Sequence, residues 1–125
     1  MKHVLIADDE DMVLKLLTRF LERMSFCALG CRNGTEAMER LVLKKEDIAL
    51  AILDLNLPDI SGIQLAVQLK QIKPCLKIII STGDPISAME INNAYGSQLV
   101  DKVLNKPFSL SVFEESIYGI LGKPL

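Results

Sequence analysis

Five polar side chains of the kinds that carry out phosphoryl chemistry each follow a short apolar run, at widely separated points of the sequence. Asp8 and Asp9 follow the first run, Asp54 the third, Thr82 the fourth and Lys106 the fifth. A carboxylate can act as nucleophile or metal ligand, a hydroxyl can donate a hydrogen bond, and an ammonium can neutralise a charged oxygen. If folding brings the five together, they form a site for phosphoryl transfer to an aspartate.

Each of these residues taken alone also has an ordinary structural explanation. An Asp after a strand is often a helix cap or a turn former. Thr82 alone would be a strand-end threonine, and Lys106 alone a solvated lysine. The combination favours a site, because five independent accidents would have to fall at the ends of four of the five apolar runs.

A crevice that holds Asp8, Asp9 and Asp54 together must also hold a cation or a proton. Two carboxylates about 5 Å apart repel by about 3 kcal/mol at an effective dielectric constant near 20. Oxygen ligands favour Mg²⁺ or Mn²⁺. His3 precedes the first apolar run and is expected to be an unremarkable strand-edge residue, and no other His or Cys stands nearby to suit zinc. The acidic residues therefore predict a magnesium site.

The apolar runs are too short for buried helices and rich in residues that favour strands, which predicts five strands. They cover Val4–Ala7, Phe26–Cys31, Ile48–Leu53, Leu76–Ser81 and Val103–Leu104. The third and fourth runs are continuous rather than alternating, which is typical of a parallel sheet covered on both faces.

The stretches between the runs have helical spacing of their apolar residues. The predicted helices cover Asp11–Met24, a segment after Asn33-Gly34, Gly62–Ile72 before Pro74, Ile86–Gln98, and Leu110–Leu121 before Gly122. Five strands that alternate with five helices predict one doubly wound α/β domain over residues 1–125. In such a domain ligands bind at the carboxyl edge of the sheet, where all five polar groups would lie.

Composition and charge exclude several other classes of protein. Half of the 125 residues are hydrophobic and 24% are charged, which is the balance of a globular domain. A net charge of -2 without a basic stripe argues against nucleic-acid binding. The start of the chain lacks the long apolar core of a signal peptide or a spanning helix, so we expect a cytoplasmic protein without membrane contact. Cys27, Cys31 and Cys75 are expected to be buried, unreactive thiols.

Four motifs in this order resemble the receiver domains of bacterial two-component response regulators, over essentially the whole chain. They are ADDED at Ala7–Asp11, DLNLPDISG at Asp54–Gly62, STG at Ser81–Gly83 and KPF at Lys106–Phe108. Asn33-Gly34 followed by Glu36-Ala37 fits the entry into the second helix of that family. The resemblance implies a flavodoxin-like fold with strand order 2-1-3-4-5 and a cis bond between Lys106 and Pro107.

The resemblance also implies the role of each site residue. Asp54 would accept the phosphoryl group from a histidine kinase or a histidine phosphotransfer protein. The metal would be held directly by Asp9, by Asp54 and by the backbone carbonyl of Asn56, with Asp8 binding it through water or orienting the other ligands. Thr82 would bond the phosphoryl group, Lys106 would pair with it, Gly83 would leave room for it, and Asn56 and Asp84 would flank it and tune its loss.

Two features depart from the pattern of the family. Val103 stands where the family usually carries the Tyr or Phe of its switch, so the aromatic part of the switch is in question. The segment Gly96–Asn105 is about three residues longer than usual, so the fourth helix and its loop could be displaced.

Three functions follow from different readings of these residues. The first is an active receiver that signals to a protein target or an output domain, alone or as part of a longer regulator, with a homodimer as an open possibility. The second is a small phosphatase that resembles the haloacid-dehalogenase group, which Asn56 disfavours because that group needs a general acid there. The third is a receiver fold used only to bind proteins.

Overall fold

Strands and helices alternate along the whole of the computed structural model, which describes residues 2–123. The strands are β1 (His3–Ala7), β2 (Cys27–Cys31), β3 (Ile48–Asp54), β4 (Lys77–Thr82) and β5 (Lys102–Asn105). The helices are α1 (Asp11–Arg23), α2 (Gly34–Lys44), α3 (Gly62–Ile72), α4 (Ala88–Tyr95) and α5 (Leu110–Leu121). The described residues therefore contain the five strands and five helices that the sequence predicts.

The strands form one parallel sheet in the order β2-β1-β3-β4-β5, which confirms the predicted topology. Ala7 of β1 is in register with Leu53 of β3, and Asp54 of β3 is in register with Ser81 of β4. The carboxyl ends of the three central strands are thus level with one another. The polar residues that follow these strands are brought to one edge of the sheet.

Both faces of the sheet are covered, which explains why the central strands are continuous apolar runs. Ala51 and Leu53 of β3 belong to the core beneath α2, α3 and α4, whereas Leu50 and Ile52 belong to the core beneath α1 and α5. Because successive side chains of a strand point to opposite faces, residues 50–54 of β3 are buried whichever way they point.

Four helices begin at a side chain that accepts a hydrogen bond from the third residue of the helix, as N-caps do. The capping residues are Asn33 for α2, Ser61 for α3, Ser87 for α4 and Ser109 for α5. Glu10, which precedes α1, makes no such hydrogen bond. The local sequence therefore sets where these four helices begin.

Several predicted boundaries were wrong. The fourth helix is shorter than Ile86–Gln98, because Ser87 caps its start and Gly96, at φ 65°, ends it in the left-handed conformation that suits glycine. His3 lies within β1 rather than before it.

The prediction that all three cysteines are buried was wrong. Cys75 is exposed, Cys27 is half-buried, and Cys31 alone is fully buried. Burial raises the pKa of Cys31 to about 11, which fits an unreactive thiol at that position.

The long segment between α4 and β5 is tied to its neighbours at two points. The side chain of Asn92 accepts a hydrogen bond from the Val100 N–H at 2.8 Å and donates one to the Val100 carbonyl at 2.9 Å. The Asp101 carboxylate accepts from the Ile78 N–H at 2.8 Å. These bonds hold the extra residues against α4 and β4, so the lengthened segment leaves β5 in its place in the sheet.

Candidate functional site

Three acidic side chains meet at the carboxyl edge of the sheet, as the sequence predicts. Each of Asp8, Asp9 and Asp54 offers a carboxylate oxygen, and these oxygens lie within 4.8 Å of one another. Asp8 and Asp54 are 2% and 9% exposed, whereas Asp9 is exposed. Their arrangement fits a small divalent cation with oxygen ligands, because it pairs buried charge that needs compensation with one side open to water.

Lys106 joins the same cluster from the loop after β5. Its Nζ lies 3.1 Å from Asp8 Oδ2 and 3.6 Å from Asp54 Oδ1. The Lys106 N–H donates to the Thr82 carbonyl at 2.7 Å, which anchors the loop to the end of β4. The Lys106–Pro107 peptide bond is cis, as the resemblance implies. One ammonium is thus shared by two of the three carboxylates.

The electrostatics of the cluster favour a further positive charge. Burial raises the pKa of Asp54 above its ordinary value; the charge of Lys106 opposes this shift and the charge of Asp8 adds to it. Burial disfavours the charged form of Lys106, but the hydrogen bond and charge of Asp8, with the charges of Asp54 and Glu10, raise its pKa overall. The ammonium therefore stays charged while Asp54 remains incompletely compensated, which suits a group that reacts with an electrophile beside a cation.

Thr82 is buried at the end of β4, next to the strand that ends in Asp54. Its Oγ1 accepts a hydrogen bond from the Asp84 N–H at 3.0 Å, and the Asn105 side chain donates to the Asp84 carbonyl at 3.0 Å. A β-carbon on Gly83 would have no neighbour within 4 Å, so open space lies at this position. The short turn after β4 is thus held from both sides while the hydroxyl proton of Thr82 stays free to be donated.

The loop between β3 and α3 is built tightly against Asp54. The Leu55 N–H donates to the Ser81 carbonyl at 3.0 Å, and the Gly62 N–H donates to the Leu55 carbonyl at 2.7 Å. A β-carbon on Gly62 would overlap the backbone carbonyl of Asp54. Glycine is required here because the first turn of α3 lies directly on the backbone of the candidate phosphoacceptor. Exposed Asn56 faces Ser61 across this loop in a single antiparallel bridge.

Val103 is half-buried in β5 and packs against the core beneath α2, α3 and α4. Two aromatic rings later in the chain, Phe108 and Phe113, stack with centroids 5.9 Å apart and belong to the other face of the sheet. They therefore do not take the place of an aromatic side chain at residue 103.

The sequence alone predicts no role for Asp59, although this residue lies within the DLNLPDISG motif that begins at Asp54. Its carboxylate accepts hydrogen bonds from Gly34 and Thr35, more than twenty positions away in the chain. The hydrogen bond from the Gly34 N–H lowers the pKa of Asp59, and those from Thr35 add to the effect. A pairing over this distance leaves no local signal, so only the fold reveals it.

A sequence model described as the response regulator receiver domain matches residues 4–118. The chain is 34% identical over 110 residues to the response regulator receiver protein CpdR of Brucella abortus, covering 88% of each protein. It is 33% identical over 123 residues to the alkaline phosphatase synthesis transcriptional regulatory protein PhoP of Bacillus subtilis. That match covers 98% of this chain and 49% of PhoP, so the chain spans about half of that relative.

Solved structures give the same fold. The response regulator TrrA of Thermotoga maritima, in complex with Mg²⁺-BeF, superposes with a TM-score of 0.82 at 27% identity and covers 97% of this chain and all of that one. A receiver domain protein of Clostridium thermocellum superposes with a TM-score of 0.85 at 22% identity and covers 97% and 94% of the two chains. Within residues 2–123, no helix combines the length and the apolar character that a bilayer crossing needs.

Proposed function

Since the chain belongs to the response regulator receiver domain family, a family of signalling proteins, we propose that Asp54 is the residue that accepts the phosphoryl group. The observation that carries this proposal is the position of Asp54. It is a buried carboxylate at the carboxyl edge of the sheet, with Asp8 beside it and Lys106 Nζ 3.6 Å from its Oδ1. The donor would be a histidine kinase or a histidine phosphotransfer protein.

In the proposed reaction a carboxylate oxygen of Asp54 forms a bond to phosphorus as the bond from phosphorus to the donor nitrogen breaks. The donor imidazole leaves with its electron pair and is then protonated. Lys106, held by Asp8 at 3.1 Å, neutralises charge on the transferring group, and no proton has to leave Asp54. The protein therefore contributes mainly position and charge compensation.

The carboxylates fit a divalent cation, Mg²⁺ or Mn²⁺, and the residues that would hold it are Asp8, Asp9, Asp54 and the backbone carbonyl of Asn56. When bound, this ion would neutralise charge on the phosphoryl oxygens. Asp8 has a second task, because its Oδ1 accepts the Glu10 N–H at 2.9 Å while its Oδ2 accepts from Lys106. Its orientation is thus fixed before any ligand arrives.

Thr82 would report phosphorylation to the rest of the domain. Its Oγ1 accepts the Asp84 N–H, and its own proton is free to be donated to a phosphoryl oxygen. Such a bond would pull on the turn that Asn105 holds at the Asp84 carbonyl, and β5 and α4 adjoin this turn. A local gain of about 1.5 to 2 negative charges would in this way become a change in the surface formed by α4, β5 and α5. Gly83 would leave the entrance open, and Asp84 and Asn56 would set how fast the phosphoryl group is lost.

The proposal extends to the whole of residues 1–125 as one receiver domain that promotes its own phosphorylation and dephosphorylation and is not otherwise an enzyme. Its downstream partner would be a protein target or an output domain, and it would act in the cytoplasm, with a homodimer as one possible active form. Family membership favours this function over a stand-alone phosphatase or a binding module without phosphorylation.

Intact-mass measurement after treatment with acetyl phosphate and Mg²⁺ tests the proposal. We expect the native chain to gain one phosphoryl group and Asp54→Asn to gain none. Asp47→Asn, an exposed aspartate in the loop before β3, serves as the matched control and should label like the native chain. Labelling of Asp54→Asn at the native rate would refute Asp54 as the acceptor, and absence of labelling in the native chain would favour the phosphorylation-independent module.

A further inference from the structure

Asp59 lies near the tip of the loop between β3 and α3 and bonds to the start of α2. Its Oδ1 accepts the Gly34 N–H at 2.8 Å, and its Oδ2 accepts the Thr35 N–H and the Thr35 hydroxyl at 3.0 Å each. Gly34 and Thr35 are the first two residues of α2, whose N–H groups have no partner within the helix. A carboxylate from a distant loop thus satisfies both donors. We call this set of hydrogen bonds the α2 contact.

The shape of the two segments supports the same contact. Gly34 is buried, and a β-carbon there would overlap Cγ2 of Ile60 and lie 3.3 Å from Asp59 Oδ1. The loop can approach α2 this closely only because residue 34 lacks a side chain. The helix has its own N-cap in Asn33, which accepts the Glu36 N–H at 2.8 Å. Asp59 is therefore not the only group that starts α2, and its bonds also serve to hold the loop.

The α2 contact restrains the tip of the loop, residues 57–60, whereas the Asn56 N–H is itself hydrogen-bonded to the Asp54 carboxylate. Two hydrogen bonds fix the base of the loop: the Leu55 N–H donates to the Ser81 carbonyl, and the Gly62 N–H donates to the Leu55 carbonyl. Asn56 lies between this base and the tip, which Asp59 secures to α2. Residue 56 is thus held from two directions, and its backbone is the one proposed ligand of the cation that does not come from a carboxylate.

We propose that Asp59 is a positioning residue for the cation site, acting through the α2 contact to hold the Asn56 backbone carbonyl where the cation needs it. The inference rests on the proposed function, because it assumes that Asn56 is a ligand. Asp59 itself touches neither the cation nor the phosphoryl group. Groups that do not bind a metal themselves but orient its ligands commonly have a strong effect on the affinity for the metal.

Calorimetric titration of the phosphate-free chain with Mg²⁺ tests this role without relying on activity. We expect Asp59→Ala to raise the Mg²⁺ Kd about 3- to 10-fold, somewhat less than loss of a group bonded directly to a ligand. Asp59→Asn keeps one acceptor oxygen and should fall between Asp59→Ala and the native chain. At saturating Mg²⁺ the rate of labelling by acetyl phosphate should return to the native rate, because only the affinity is affected.

Two further variants separate positioning from general loosening of the loop. Gly34→Ala should weaken Mg²⁺ binding in the same direction as Asp59→Ala, because its β-carbon displaces Ile60, even though alanine favours a helix over glycine. Ser61→Ala removes the N-cap of α3 in the same loop but leaves the α2 contact. It should lower thermal stability without changing the Mg²⁺ Kd.

A native Mg²⁺ Kd in Asp59→Ala, or an equal loss of affinity in Ser61→Ala, would overturn the inference while leaving the proposed function intact. Failure of the native chain itself to bind Mg²⁺ would instead refute the cation site, and the inference with it. If Asp59→Ala does not fold, Asp59→Asn and Gly34→Ala still decide the question.

Discussion

Two aspartates five residues apart, one at the end of β3 and one in the loop that follows, occupy opposite electrostatic environments. Asp54 is buried at the end of β3, and burial raises its pKa. Asp59 is exposed near the loop tip, and the hydrogen bond from the Gly34 N–H lowers its pKa. The charge of the same side chain is therefore poorly compensated at the base of the loop and stabilised by hydrogen bonds near its tip.

The difference separates a group that can react from a group that holds a structure. A carboxylate that is buried and close to another acid gains from a cation or an electrophile. A carboxylate that accepts three hydrogen bonds at a helix N-terminus has nothing more to gain and instead fixes the distance between two segments. Four predictions test whether this division holds, in order of expected effect.

The largest effect is expected from removing the positive charge that partly compensates Asp54. Lys106→Met should slow labelling by acetyl phosphate about 100-fold, because a preorganised group that neutralises transition-state charge is commonly worth that much. Lys102→Met is the matched control, since Lys102 is exposed in β5, the strand that leads to Lys106. Rates are measured by intact mass over time at saturating Mg²⁺. A similar loss in both variants would show that strand β5, rather than the ammonium, is responsible.

The second prediction concerns the backbone behind Asp54. Gly62→Ala should lower the free energy of unfolding by about 1 to 3 kcal/mol, because its β-carbon overlaps the Asp54 carbonyl. Gly119→Ala in α5 is the control, since a β-carbon there has no neighbour within 4 Å, and it should raise stability by about 0.5 to 1 kcal/mol. Urea unfolding measures both. Equal effects of the two substitutions would mean that the first turn of α3 can move away from Asp54.

The third prediction uses pH to compare the two aspartates directly in Mg²⁺-free chain. Because the pKa of Asp54 is raised in the fold, its charged form opposes folding, so Asp54→Asn should stabilise the chain at neutral pH. That gain should vanish as pH falls through the raised pKa towards the ordinary value of 3.8. Asp59→Asn should destabilise the folded chain at neutral pH. This loss of stability should vanish as pH falls below the lowered pKa of Asp59. The contrast between the two aspartates would be refuted if, at neutral pH, both substitutions raised the free energy of unfolding or both lowered it.

The smallest effect is expected from Val103, which touches neither aspartate. Val103 is half-buried, and we expect the rate of labelling to depend on the site residues rather than on Val103. Valine has no aromatic ring that could couple Thr82 to α4. Backbone chemical shifts over α4, β5 and α5 should therefore change less on addition of beryllofluoride in the native chain than in Val103→Tyr. Large native changes confined to that surface would show that coupling does not need the ring.

Most of the architecture was predictable because it depends on local patterns. Continuous apolar runs such as Ile48–Leu53 indicate strands buried on both faces, and capping residues such as Asn33 mark where helices begin. The fourth helix was mispredicted because its length depends on the cap at Ser87 and the turn at Gly96. The prediction that Cys75 is buried was wrong because a loop residue follows the path of the loop, not the character of its neighbours in the sequence.

The sequence by itself determined the kinds of elements, their order and the residue types that end each strand, since these depend on side chains close together in the chain. Only the tertiary structure decided which of those residues share a charge and which share a hydrogen bond. Lys106 meets Asp8 across 98 positions, and Asp59 meets Gly34 across 25. Such pairs exist only once the sheet has aligned its strand ends, because the energy of a contact depends on distance in space rather than along the chain.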